Sequence, residues 1–163
     1  MYYMNYFFVF SILGYLLETF FNKGFESGIL YGPYTPVYGI GVCLVIFVFH
    51  FLKRKKINHL FTLLCIFLFG FIGLSILELL GGILIEYFFH TVFWDYSHFK
   101  FSIGHYIALE ISLLWGILSI LIAYIICPFF DLWIQKIPKF LTWIFLIFFI
   151  FDCMITLFTK VLF

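Results

Sequence analysis

The sequence predicts an all-α polytopic membrane protein, a helix bundle with about five transmembrane helices. The first observation is composition: 66% of the residues are hydrophobic and 10% are charged, whereas a soluble domain is about 45–50% apolar and about 25% charged. The second is that the apolar residues form runs of about 20 residues, the length that a helix needs to cross about 30 Å of hydrocarbon. We therefore expect a single integral membrane domain over residues 1–163, largely solvated by lipid.

Five segments meet this length requirement, and each must be helical because hydrocarbon offers the backbone no hydrogen-bond partner. The predicted spans cover approximately residues 3–21, 36–52, 60–89, 105–127 and 140–162. The third is longer than the bilayer is thick, so we expect it to tilt, project or bend, with glycines such as Gly70 and Gly82 allowing a bend or close packing. The chain is apolar from Tyr2 without a basic leader, so the first helix is expected to stay as a span.

The basic residues predict the orientation, because cytoplasmic loops are enriched in Lys and Arg. Four connections join the predicted spans, over residues 22–35, 53–59, 90–104 and 128–139. The second and fourth carry Lys53, Arg54, Lys55, Lys56, Lys136 and Lys139, whereas Lys23, Lys100 and Lys160 lie on the opposite side. We therefore expect a cell-membrane protein with a cytoplasmic N-terminus and an extracytoplasmic C-terminus. The run at 53–56 is interpreted as a topology signal or as a contact for anionic lipid headgroups.

Carboxylates within the spans are the strongest candidates for a functional site, since a charge in hydrocarbon usually faces a partner or a wet cavity. Counted along their helices at about 1.5 Å per residue, Glu18, Glu78 and Glu110 all fall in the outer third of the layer. They predict an acidic site for a cation, a proton, or a cationic or sugar-like substrate, with Glu86 and Asp95 at its entrance. The alternative is that each side chain reaches the interface or caps a helix end.

Two outer connections are expected to cover this site. The first contains the predicted gating residues Tyr31, Gly32, Pro33, Tyr34, Pro36 and Tyr38. Its prolines interrupt helical hydrogen bonding, and irregular backbone at membrane depth requires protein or a wet cavity beside it. The segment is either a re-entrant loop or an interfacial loop with an aromatic belt. The other connection carries Trp94, Tyr96 and Ser97 beside Asp95, which is interpreted as a ligand or a local cap.

The chain carries no strong signal for a metal, a cofactor or a nucleic acid. The four cysteines occur singly, without a CxxC pair. His90, Asp95, His98 and His105 match no closed zinc pattern. The formal net charge is +1, which argues against a nucleic-acid partner. We predict no metal site and no cofactor.

Several segments resemble one family of bacterial membrane proteins. They are Leu16-Leu17-Glu18, the stretch from Leu30 to Gly39, Glu78 with Glu86, residues 94–97, and Glu110 with Ser112, Trp115 and Gly116. The resemblance covers about residues 11–132 and is to the ABC-transporter type IV family, also called ABC transporter permeases. It implies a membrane subunit of a transporter.

ATP-driven transport would require a partner, because the chain has no GxxxxGK[ST] loop for nucleotide binding. The partners expected are the lipid bilayer and either a separate ATPase subunit, docked on the cytoplasmic loops, or a second copy of the chain. Two alternatives stay open: a membrane enzyme acting on a lipid-linked substrate through paired carboxylates, and a non-catalytic accessory membrane subunit.

Overall fold

The computed structural model describes residues 1–22 and 28–161, and within these ranges the chain folds into five long helices. They are α1 (Tyr2–Asn22), α2 (Pro36–Arg54), α3 (His59–Phe89), α4 (Leu109–Ile134) and α5 (Lys139–Lys160). The predicted all-α membrane fold is confirmed. Among the described residues, α2 to α5 are long and apolar enough to cross a membrane. Lys23, used in the orientation argument, lies outside the described residues.

Helix α1 matches the first predicted segment but is not among these four helices. It contains four tyrosines, Asn5 and Glu18. Tyrosine is typical of the boundary between water and lipid. That α1 crosses the membrane therefore stays a prediction.

Helices α3 and α4 each contain one π-helical stretch, Phe69–Leu74 and Ile122–Ile126 respectively. The first begins beside Gly70, where a Cβ atom would collide with Ser119 Oγ and the Trp115 carbonyl oxygen of α4. The two helix backbones therefore approach closely at this glycine, as small residues allow in membrane bundles. The predicted role of Gly70 in close packing agrees with this contact.

Helix α4 continues past the end that Pro128 predicts. The α-helical ladder resumes at Cys127 and runs to Ile134. Proline lacks the amide hydrogen that an α-helix needs. Here it comes two residues after the end of the π-helical stretch, where the regular hydrogen-bond pattern is already interrupted. The connection predicted from Pro128 to Lys139 is therefore corrected to residues 135–138.

The described chain divides into two compact units. The central unit covers Gly41–Phe130, and its core contains Val45, Leu52, Ile66, Leu74 and Ala123. The terminal unit combines Met1–Ile40 with Asp131–Phe163. In that unit Phe8 of α1 packs on Phe145 and Phe149 of α5, with ring centroids 5.8 and 5.9 Å apart. The expectation of one integral membrane domain stays a prediction.

Residues 90–108, called the cap below, connect α3 to α4 in the central unit. Helix α3 is terminated by His90, whose φ of 52° is left-handed. Two short antiparallel strands follow, β1 (Ser102–Ile103) and β2 (Ile107–Ala108), with Ser102 opposite Ala108. Gly104 takes a φ of +67° in the turn between them, a conformation that glycine adopts without strain. The amide of Tyr96 donates to the His105 carbonyl oxygen at 2.8 Å and closes the cap.

Candidate functional site

Glu78 is a buried carboxylate held between α3, α4 and the cap, with 9% of its surface exposed. Its Oε1 accepts a hydrogen bond from the Tyr96 hydroxyl of the cap at 2.7 Å. Its Oε2 accepts one from the Trp115 indole Nε1 of α4 at 2.8 Å. One turn earlier on each helix, Ser75 Oγ donates to Ser112 Oγ at 2.7 Å. Hydrogen bonds between polar side chains therefore join α3 to α4 at Ser75 and at Glu78.

Glu86 lies two turns beyond Glu78 and is exposed. Its Oε2 accepts a hydrogen bond from the Tyr106 hydroxyl at 2.8 Å. The Tyr106 ring lies against Gly82, where a Cβ atom would come within 2.5 Å of the ring. Burial, the hydrogen bond to Glu86 and the charges of Glu86 and Asp95 raise the pKa of Tyr106. Tyr106 therefore stays protonated and donates, fixing β2 of the cap to α3.

Asp95 stabilises the cap from within. Its Oδ1 accepts the Ser97 amide at 2.8 Å and lies 3.2 Å from His105 Nδ1. The backbone N–H of Ser97, followed by the Ser97 and His105 side chains, lowers the pKa of Asp95 from 3.8 to about 2. Both Asp95 and His105 are exposed. Of the two sequence interpretations, ligand or local cap, these contacts favour the local cap.

Two buried polar atoms near the cap have no hydrogen-bond partner among the described residues. They are Oε2 of Glu110 and Nε1 of Trp94. The other oxygen of Glu110 accepts the Phe101 amide in a long contact of 3.4 Å. The Trp94 ring packs on Tyr106 with centroids 5.9 Å apart. Glu110 therefore keeps one acceptor available for a ligand or a rearrangement of the cap.

Glu18 belongs to the terminal unit and is half-buried near the end of α1. Its Oε2 accepts the Thr35 hydroxyl at 3.3 Å, and its carboxylate also accepts a hydrogen bond from Tyr38. The Tyr38 ring lies against Gly14, where a Cβ atom would come within 2.5 Å. Two residues that flank the start of α2 thus hold Glu18, so the first connection contacts a predicted site carboxylate. The convergence of Glu18 with Glu78 and Glu110 stays a prediction.

Asp152 binds the first connection from α5. Its Oδ1 accepts the Tyr31 amide at 3.0 Å, and its Oδ2 accepts the Gly32 amide at 2.9 Å. A side chain at position 32 would bring its Cβ within 2.8 Å of Asp152 Oδ2, so glycine permits the approach. Burial, and to a smaller extent the charge of Asp152, raises the pKa of Tyr34, which follows in the same segment.

The same segment makes two further attachments to α5. The Tyr31 hydroxyl lies 3.0 Å from Thr159 Oγ1. Lys160 donates to the Ile29 carbonyl oxygen at 2.8 Å, and its Nζ lies 4.7 Å from the centroid of the Tyr31 ring. Residues 29–32 are therefore fixed to α5 at several points. Pro33 and Pro36 complete the predicted loop, and Pro36 is the first residue of α2.

Sequence reasoning identified the carboxylates and several of the donors, but not which of them meet. Asp152 is a carboxylate within the last predicted span, which predicts no more than a packing partner, and neither Tyr106 nor Thr35 carries a comparable signal. The sequence signal for Asp152 is its position within an apolar span, where a carboxylate usually has a polar partner. Within the described ranges, no group of three or more His, Cys, Asp or Glu side chains is placed to hold a metal ion.

Comparison with known proteins gives one informative match. The family model described as Putative ABC-transporter type IV matches residues 5–157, nearly the whole chain. This range extends beyond the residues that carry the resemblance in the sequence and includes most of α5. No curated protein and no solved structure matches the chain significantly.

Proposed function

Because this chain belongs to the Putative ABC-transporter type IV family, we propose that it is the permease subunit of a transporter with an acidic binding site at Glu78. The site would take a coupling cation or the cationic group of a substrate. Glu110 adds a second acceptor, and Glu86 and Asp95 with Trp94, Tyr96 and Ser97 form the entrance. Glu18 and the gating loop, residues 31–38, belong to the terminal unit, and their gating role stays a prediction.

The observation that carries the proposal is that the buried carboxyl group of Glu78 has no cation beside it among the described residues. Both of its hydrogen-bond donors, Tyr96 and Trp115, are neutral. In the described part of the chain, no Lys, Arg or His lies within 4.0 Å of this carboxylate. A buried carboxylate without a cation is disfavoured by several kcal/mol. A bound cation or proton would relieve that cost, which is the property that a cation-coupled site requires.

The two donors to Glu78 differ in how easily they can leave. Trp115 is on α4, which packs closely on α3 at Gly70. Tyr96 is in the cap, whose regular structure consists of two strands of two residues each. Opening of the cap would remove the Tyr96 hydroxyl and expose Oε1 of Glu78, while Trp115 keeps the carboxylate in position. The cap is then the access gate of the central unit.

Energy would come from a separate ATPase subunit that docks on the predicted cytoplasmic connections, residues 53–59 and 135–138. This arrangement assumes an N-terminus in the cytoplasm and a cell-membrane location. The absence of a nucleotide-binding loop from this sequence is the reason for proposing a separate subunit.

The test is transport in proteoliposomes that contain the wild-type chain or its Glu78→Gln variant, isolated together with the ATPase subunit. The amide carries no negative charge to balance a bound cation, so we expect uptake of the transported cation or cationic substrate to fall at least about tenfold, as for a loss of about 1.4 kcal/mol. Asp131→Asn is the matched control, because its amide oxygen can still accept from Tyr2 and Tyr6, whose hydroxyls lie 2.8 Å from Asp131 Oδ1. Equal transport by wild type and Glu78→Gln would refute the proposal.

A second candidate, a non-catalytic accessory subunit, is favoured by one observation. Both oxygens of Glu78 and both oxygens of Asp152 already accept hydrogen bonds from the chain itself. Carboxylates satisfied in this way can be purely structural. In that case Glu78→Gln would lower the thermal stability of the purified protein without changing transport by the complex that contains it.

A further inference from the structure

An apolar groove lies on the central unit where α3 begins. Its volume is about 500 Å³, and it is lined by Leu60, Phe61, Leu64 and Phe67 of α3, Ile120 of α4, and Asn58 at its end. The leucines and Phe61 are more than half exposed. These residues belong to a helix long and apolar enough to cross a membrane. The walls of the groove therefore match hydrocarbon in chemistry.

Four consecutive cations directly precede this groove in the chain. Lys53, Arg54, Lys55 and Lys56 are all exposed, and Asn58, which lines the groove, follows two residues later. Among the described residues no carboxylate lies within 4.0 Å of any of them. Lys53 is the most constrained, because its Nζ lies 5.4 Å from the ring centroid of Phe49 and 5.8 Å from that of Tyr124.

We propose that the groove and the basic run together bind one anionic phospholipid. The phosphate contacts the cations at 53–56, and an acyl chain lies along α3. From Asn58 to Phe67 the helix rises about 14 Å, close to half of the ~30 Å hydrocarbon layer. The groove thus has the length of one leaflet and carries its positive charge at the headgroup end.

A lipid fits this surface better than an acidic polypeptide does. A polypeptide laid in the groove would place its own backbone N–H and C=O groups against hydrocarbon, which is costly unless they are paired. An acyl chain has no such groups. The cations attract the anionic headgroup, and the attraction falls off within a Debye length, so it depends on salt.

The test is lipid titration of the purified full chain in neutral detergent micelles, followed by native mass spectrometry. We expect phosphatidylglycerol to bind more tightly than phosphatidylcholine, and to lose about fivefold in affinity for each cation changed to Gln, since one Lys or Arg near an anionic surface contributes about 1 kcal/mol. The combined Lys53→Gln, Arg54→Gln, Lys55→Gln and Lys56→Gln variant should show no preference. Leu64→Trp, which fills the groove, should weaken both lipids.

Two controls separate this proposal from simpler explanations. Lys100→Gln changes an exposed cation in the cap and should leave lipid affinity unchanged. A variant with Lys53→Arg, Lys55→Arg and Lys56→Arg keeps the charge and should keep the preference, which assigns the loss in the Gln variant to charge. Equal affinity of wild type for both lipids would overturn the proposal. So would a preference that survives the Gln changes, or an acidic protein that binds through these cations when phosphatidylglycerol does not.

Discussion

Replacing Asp152 with alanine is predicted to release the first connection from α5. The carboxylate is buried, with 9% of its surface exposed, and its two oxygens accept the amides of Tyr31 and Gly32 at 3.0 and 2.9 Å. A methyl side chain would accept neither amide. Because both donors are backbone groups, no other rotamer of Tyr31 can restore the bonds.

The magnitude follows from the number and exposure of these bonds. A hydrogen bond to a charged group contributes about 1.5–3 kcal/mol. Tyr31 is 61% exposed, so water can replace part of what is lost. Two such bonds sum to about 3–6 kcal/mol, and after this allowance for water we expect the free energy of opening this segment to fall by about 2–3 kcal/mol. At about 1.4 kcal/mol per factor of ten, the change is about 30- to 150-fold.

Hydrogen exchange of the Tyr31 and Gly32 amides measures this opening directly. In detergent micelles, both amides should exchange about 30- to 150-fold faster in Asp152→Ala. Asp152→Asn should give an intermediate rate, because its oxygen accepts one amide while its NH₂ group faces the other. Asp131→Asn is the control in the same unit and should leave both rates unchanged. Unchanged rates in Asp152→Ala would refute the assignment of these bonds.

Two further predictions concern the cap. In Gly82→Ala the new Cβ would come within 2.5 Å of the Tyr106 ring, so we expect cap stability to fall by about 1–3 kcal/mol and hydrogen exchange across residues 90–108 to accelerate. Gly81→Ala is the matched control, because the nearest atom to its new Cβ is 3.8 Å away. Equal exchange in both variants would contradict the packing argument. The contribution of Asp95 is fully present above pH 3.8 and is lost as the pH falls towards its lowered pKa of about 2. The Ser97 amide resonance should therefore titrate with a midpoint near 2, and a midpoint near 3.8 would show that the contacts of Asp95 do not form.

The membrane fold was predictable because it depends on composition and length, which are local properties of the sequence. Helices α2 and α3 begin and end within two residues of the predicted spans. In hydrocarbon a run of this length must be helical, because only a helix pairs its backbone N–H and C=O groups within the segment. The start of α4 was less predictable, since residues 105–108 form part of the cap instead. A strand of two residues is too short to show the alternation of polar and apolar residues that would distinguish it from a helix end.

Pro128 illustrates a local rule overridden by its neighbours. Proline usually ends a helix because it lacks an amide hydrogen. In α4 it follows the π-helical stretch Ile122–Ile126. Such a stretch depends on how α4 packs against the rest of the unit, and no residue type encodes it. The sequence therefore predicts a helix end where the structure has a continuous helix.

The partners of the carboxylates were harder to predict than the carboxylates themselves. Asp152 binds two backbone amides, and every residue except proline has such an amide, so the residue types at 31 and 32 do not identify them. Glu78 meets Tyr96, 18 residues away, only because the cap folds back over α3. Sequence position fixes the depth of a carboxylate along a helix, whereas its donors depend on the path of the connections.

The donors of these two acids separate a structural carboxylate from a candidate binding residue. Asp152 holds both amides of one continuous segment, so its two bonds form and break together and serve a single attachment. Glu78 divides its oxygens between Trp115 on a closely packed helix and Tyr96 on the cap. One bond can therefore break while the other maintains the position of the carboxylate. A gated site for a cation requires this asymmetry, which is why the proposed chemistry is assigned to Glu78 and the proposed attachment to Asp152.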